Sequence, residues 1–157
     1  MKELKSFRAA FRGFFGSLCT EAHLRFHLVA AVWVIAFSFL YGLSCTKWAV
    51  IILVIAAVIA AELFNTALES LCDRVTGEYD SRIRIAKDAA AGGVLVLSVA
   101  AVAIAVTVYG DVERLRAVFV TVSGNLWLLI LSAVSIIISV VFTVLGPLGI
   151  KRLFIRK

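Results

Sequence analysis

The sequence predicts an all-α membrane protein, a polytopic helix bundle with an N-terminal interfacial amphipathic helix, three spans and a further C-terminal fourth span. Three observations carry this prediction. Of the 157 residues, 62% are hydrophobic and the mean hydropathy is +1.05, well above the roughly 45–50% apolar content of soluble domains. Four apolar stretches, residues 26–43, 47–72, 89–110 and 126–145, are each long enough to cross or nearly cross a bilayer. The charged residues collect between these stretches, apart from Lys47 at the start of the second and Glu62 and Glu69 towards its end. A chain of this length forms one compact bundle and leaves little for a separate aqueous domain.

In the first twenty residues, Leu4, Phe7, Phe11, Phe14, Phe15 and Leu18 recur at helical spacing, while Lys2, Lys5, Arg8 and Arg12 fall on other faces. This pattern suits a helix lying in the membrane interface, with rings in the acyl boundary and bases among headgroups. An ordinary helix covering the end of the bundle fits the same pattern. Bases occur throughout this segment and it lacks a compact apolar centre, so no cleavable signal peptide is expected. Glu21-Ala22-His23-Leu24-Arg25-Phe26-His27 then leads into the first span. A short polar connection with Gly42 and Ser44 follows, and Trp48 is placed as an interface anchor.

The second span ends in Glu62-Leu63-Phe64-Asn65-Thr66-Ala67-Leu68-Glu69-Ser70-Leu71-Cys72-Asp73. At about 100° per residue, Glu62, Asn65, Thr66, Glu69 and Asp73 share one helix face. A carboxylate near hydrocarbon costs several kcal/mol, roughly, unless it is paired, metal-bound or protonated. Acids one turn apart also repel, which a divalent cation or a shared proton relieves. The plain alternative is a helix end emerging into water, where acids are solvated.

Residues 73–88 read as a charged, solvated loop broken at Gly77, with Arg74, Arg82, Arg84 and Lys87 in the same compartment. The third span, residues 89–110, carries no charge and begins with Ala and Gly, which permits close backbone approach by neighbouring helices. Residues 110–125 form a polar connection, partly helical along the surface. The fourth span, residues 126–145, is stopped by Gly146-Pro147-Leu148-Gly149 and followed by a basic tail.

With four spans, both termini and the 73–88 loop lie on one side, together with thirteen of the sixteen Lys and Arg residues. The Lys/Arg excess marks the cytoplasmic side, so the termini and the acidic stripe are expected there. The net charge of +6 does not indicate nucleic acid, because the bases flank apolar runs and form no stripe with aromatic platforms. The bilayer itself, through anionic headgroups, is the expected partner. Cys19, Cys45 and Cys72 are odd in number and lack His at ligand spacing, so they are read as small apolar residues.

The acidic motif with Arg74, followed by Ala86-Lys87-Asp88-Ala89-Ala90-Ala91-Gly92-Gly93-Val94-Leu95, closely resembles the small integral-membrane diacylglycerol kinase and undecaprenol kinase family of bacteria. The resemblance runs from about Lys5 to about Tyr109. It divides the chain into a membrane lipid kinase domain, residues 1–110, and an added connection, helix and tail, residues 111–157, which the usual three-span pattern lacks. It implies an ATP-dependent kinase in which Glu62 is the catalytic base and Glu21 and Glu69 hold the Mg2+ of the nucleotide. Asn65 matches the polar residue beside the base. Glu78, Tyr79, Asp80, Lys87 and Asp88 match positions that contact ATP, Lys87 offering its ammonium to phosphate. Cys72 departs from the Val usual before the Asp. The family's N-terminal nucleotide-contacting Arg has no fixed counterpart. Members are homotrimers, so a homotrimer is implied here.

Phosphoryl transfer needs charge neutralisation, a cation near the transferring group and a base against the attacking hydroxyl, all of which these residue types supply. No P-loop and no protein-kinase glycine loop is present. Arg25-x-His27 resembles the Gram-positive branch, which favours polyprenols, so the expected acceptor is undecaprenol, with diacylglycerol the alternative. His27 itself is assigned no chemistry. A non-catalytic scaffold or an ion transporter that uses the acids for ion binding is the alternative from another class.

Overall fold

The structure is a computed structural model that describes residues 2–75 and 80–155. These residues form α1 (Lys2–Thr20), α2 (Ala22–Tyr41), α3 (Cys45–Val75), α4 (Ser81–Val108), α5 (Val112–Ser123) and α6 (Leu126–Ile155), with no strand among them. Four helices, α2, α3, α4 and α6, are long and apolar enough to cross a membrane. The protein is therefore an all-helical, multi-pass membrane bundle.

Helix ends depart from the apolar runs in several places. The α4 helix begins eight residues before the uncharged stretch, because the Asp80 carboxylate accepts from the Arg82 backbone N–H at 2.7 Å and caps it. Likewise α3 continues to Val75, so the connection expected over residues 73–88 narrows to a few residues. The α2 helix ends at Gly42, whose left-handed φ of 70° suits glycine and lets its N–H bond back to Ser38. Part of the 110–125 connection is α5, capped by Asp111.

The fourth span is broken, not ended, at Gly146. Helical angles fail there (φ 62°, ψ 176°), Pro147 follows, and helix resumes to Ile155.

Helix α3 packs between α2 and α4, and α6 lies against α2, with α1 crossing beneath α2, α3 and α6. At the opposite end α5 packs on α2 and α6. An aromatic cluster closes that end: Phe37, Tyr41 and Tyr109 have ring centroids 5.2–5.9 Å apart. Tyr109 also hydrogen-bonds Ser38, Lys47 donates to the Val108 carbonyl at 2.7 Å, and Tyr41 accepts from the Asp111 backbone N–H. Trp33 Nε1 donates to Ser139 Oγ at 3.0 Å, tying α2 to α6 within the apolar layer. The buried core runs along α2 and α3 through Leu24, Ala31, Ile51, Val58 and Cys72. Outer faces of α4 and α6 are apolar and exposed, as a bilayer solvent allows. On α1, Leu4, Phe7, Phe11 and Phe15 are exposed in the same way.

Candidate active site

At the end of the bundle where α1 meets α2 and α3 approaches α4 lies an open cavity of about 840 Å³. One wall is α1, contributing Ala10, Gly13, Ser17 and Thr20; the other is α3, contributing Thr66, Glu69 and Asp73. Glu21 stands at the junction of α1 and α2 and also lines the cavity. It interrupts α1 and α2 with extended angles (φ −95°, ψ 117°) and makes no side-chain capping bond, which leaves its carboxylate free for the cavity. Glu21 and Glu69, 48 positions apart in the sequence, are thus brought to one site.

The acidic stripe is realised as one face of α3. Thr66, Glu69 and Asp73 line the cavity, while Glu62 lies about 10 Å further along the helix axis from Glu69, towards the middle of the span. Glu62 is only 4% exposed. Among the described residues it has no hydrogen-bond or ion-pair partner, an expensive position for a carboxyl group with only a structural role. Asn65, between them, donates from Nδ2 to Glu69 Oε1 at 3.1 Å and orients that carboxylate. Its Oδ1 is sealed from solvent without a partner, the one such side-chain atom among the described residues. Polar demand at this point of α3 is therefore not met within the described chain.

Lys87 reaches the site from α4. Its Nζ donates to Asp73 Oδ1 at 2.7 Å, placing an ammonium beside the cavity wall, with Arg74 adjacent on α3. Two further expected contacts lie apart from the cavity: Asp80 caps α4, and Asp88 pairs with Arg84 at 3.7 Å on an exposed face. Glu78 and Tyr79 fall outside the described residues. His27 lines a small apolar cavity between α2, α3 and α4, with Phe26 edge-on at 5.6 Å.

The arrangement suits a magnesium-bound polyphosphate. No group of three or more His, Cys, Asp and Glu among the described residues forms a closed metal cage. Glu21 and Glu69, on an open cavity whose third acid, Asp73, is paired with Lys87, would instead suit Mg2+, which binds through one or two carboxylates together with substrate phosphates. A metal also fits the chemistry of the donors, since Glu21 and Glu69 are hard oxygen ligands and Asn65 holds one of them in place. The sequence reading did not single out the small-residue wall of α1. Its signal was present, because Ala10, Gly13, Ser17 and Thr20 recur every three or four residues on the side away from most of the phenylalanines.

A profile of prokaryotic diacylglycerol kinase matches residues 8–109, which hold the cavity walls, the acidic stripe and Lys87. The chain belongs to the prokaryotic diacylglycerol kinase family. It is accordingly a phosphotransferase acting on a lipid alcohol. The undecaprenol kinase of Bacillus subtilis (strain 168) is 41% identical over 95 residues, covering 60% of this chain and 77% of that protein. The diacylglycerol kinase of Synechocystis sp. (strain ATCC 27184 / PCC 6803 / Kazusa) is 41% identical over 100 residues, 63% of this chain and 57% of the relative. No solved structure matches the chain. Helices α5 and α6 lie beyond the matched region.

Proposed function

We propose that the protein transfers the γ-phosphoryl group of ATP to the hydroxyl of undecaprenol at the cytoplasmic face of the bacterial inner membrane. The observation that carries this reading is the convergence of Glu21 and Glu69 on one open cavity, with Lys87 held at its edge and Glu62 buried deeper on the same face of α3. Undecaprenol is preferred over diacylglycerol on the Arg25-x-His27 resemblance and on the likeness to the Bacillus subtilis undecaprenol kinase, of which this chain covers the larger share.

In this reading Glu21 and Glu69 would hold the Mg2+ that neutralises the polyphosphate, and Lys87, released in part from Asp73, would offer its ammonium to phosphate. The acceptor lies with its chain in the apolar layer and its hydroxyl against Glu62. As the alcohol oxygen bonds to the γ-phosphorus, the bond to the β–γ bridging oxygen breaks and ADP leaves; the hydroxyl proton passes to the Glu62 carboxylate. Burial of Glu62 excludes water from that proton transfer and from the phosphoryl group, which favours the lipid alcohol over hydrolysis.

This orientation is supported by the sequence, in which thirteen of the sixteen Lys and Arg residues fall before the first span, between the second and third, or in the basic tail. Assembly as a homotrimer is supported by the family resemblance and by Gly92 and Gly93 on α4. A Cβ added at either meets nothing within 4 Å, so their small size serves no neighbour among the described residues.

Competition between undecaprenol and diacylglycerol at equal surface fraction tests the acceptor. The expected outcome is a larger kcat/KM for undecaprenol; a clear diacylglycerol preference reverses the assignment. Both acceptors present a primary hydroxyl, so a preference and not exclusion is expected. A scaffold or transporter instead predicts no thermal stabilisation by Mg-ATP.

A further inference from the structure

Arg25 is 5% exposed, although Phe26 beside it faces outward at 57%. Its guanidinium donates from Nε and Nη1 to backbone carbonyls. Nη1 donates to Leu18 O at 3.1 Å and Cys19 O at 3.3 Å, and Nε donates to Thr143 O at 3.0 Å. Each acceptor is one that helix geometry leaves without a donor. Leu18 and Cys19 stand in the last turn of α1, whose carbonyls have no N–H four residues on in the same helix. Thr143 would accept from residue 147, which is proline and has no N–H.

Gly146 supplies the room. Its φ of 62° turns the chain out of the helix, and a Cβ there would come within 2.9 Å of the Arg25 guanidinium carbon and Nη1. Gly146-Pro147 thus creates both the orphan carbonyl and the space, and Arg25 fills both. The cation also sits at the C-terminal ends of two helical segments, where their dipoles favour positive charge.

The consequence reaches the cavity. Arg25 lies one turn after Glu21, and the α1 end that it grips carries Ser17 and Thr20 of the cavity wall. Glu21 has no side-chain bond of its own, so its direction depends on how the α1–α2 junction is held. We propose that Arg25, seated in the Gly146-Pro147 break, is a latch through which the fourth span orients α1 and Glu21 towards Glu69. Arg25 is then a positioning residue for Mg-ATP, and α6, outside the matched family region, is part of the nucleotide site's support. The inference deepens the lipid kinase reading and rests on it for its kinetic readout.

The test uses full-length protein in lipid vesicles with Arg25→Met, Arg25→Lys, Gly146→Ala and the Arg25→Met/Gly146→Ala double variant. Mg-ATP binding is followed by thermal stabilisation, and KM and kcat by phosphate transfer. Arg25→Met and Gly146→Ala should each raise KM for Mg-ATP about tenfold or more, with a smaller change in kcat, as misplacement of a ligand-bearing hinge predicts. The double variant should be no worse than the poorer single one, because both release the same contact. Arg25→Lys, keeping the charge and a single donor nitrogen, should recover part of the loss. If Arg25→Met does not fold, Gly146→Ala decides from the α6 side alone. Folded variants with unchanged KM, or effects that multiply in the double variant, overturn the latch. Wild-type protein that binds Mg-ATP without transferring phosphate would refute the kinase reading only, and the latch is then judged by the weakened binding of the variants. Wild-type protein that binds no Mg-ATP refutes both.

Discussion

Replacing Asn65 by Leu should separate stability from nucleotide affinity. The Asn65 amide contributes to folding through one bond to the Glu69 carboxylate, 3.1 Å long, and a hydrogen bond to a charged group is worth about 1.5–3 kcal/mol. Against this stands its sealed, unpartnered Oδ1, and a buried orphan acceptor costs about 1–3 kcal/mol. The two nearly cancel, so Leu, of similar size, should shift stability by less than about 2 kcal/mol. Function is not balanced in this way. Glu69 would lose the group that aims it into the cavity, and loss of a residue orienting a metal ligand typically costs about 10–100-fold in affinity. Thermal unfolding in a fixed detergent, with and without Mg-ATP, measures both quantities on one sample. The expected result is a nearly unchanged melting temperature without nucleotide and a stabilisation curve displaced to about 10–100-fold higher Mg-ATP. A markedly destabilised protein that binds Mg-ATP as tightly as wild type would refute the reasoning, because Asn65 would then be a packing residue.

The remaining predictions concern the division of labour along α3 and α4. Glu62→Gln should retain Mg-ATP binding and lose turnover, since it removes the proton acceptor and leaves the cavity intact; measured binding that falls as far as kcat would contradict this role. Glu69→Gln should weaken Mg-ATP itself, seen as a raised KM and a lost nucleotide-dependent thermal shift. Lys87→Met should leave the melting temperature nearly unchanged, because its pair with Asp73 is solvent-accessible, yet raise KM for ATP; a large fall in stability with normal KM would make the pair structural.

Much of this architecture was legible in the sequence, because bilayer solvation imposes coarse and demanding patterns. The uncharged run from residue 89 had to be a helix, since no other single segment satisfies its own backbone in hydrocarbon. The stripe of Glu62, Asn65, Glu69 and Asp73 was legible from periodicity alone. Helix ends were less so: α4 starts at Ser81 because Asp80 caps it, and a charged sequence gives no hydropathy signal for a helix that leaves the membrane. The meeting of Glu21 with Glu69 across one cavity was expected only through the family resemblance, since it depends on how α1 crosses α3. In the sequence, Arg25 stands out only through the Arg25-x-His27 resemblance to one substrate branch. Its grip on Thr143 joins residues 118 positions apart, and the orphan carbonyl becomes visible only when Pro147 is placed in a continuing helix. Gly146-Pro147 looked like a stop signal because glycine and proline end most helices; here a buried guanidinium replaces the missing donor and the helix resumes.

The central claim is that the acidic face of α3 performs phosphoryl transfer to a membrane alcohol. Its most direct test is transfer of label from γ-labelled ATP to lipid by purified wild-type and Glu62→Gln protein, in vesicles containing undecaprenol or diacylglycerol, with Mg2+ present. Labelled lipid phosphate from wild type, preferentially on undecaprenol and nearly absent with Glu62→Gln, is the predicted result. Well-folded wild-type protein that labels neither alcohol, or a Glu62→Gln variant that labels as fast as wild type, would contradict the account.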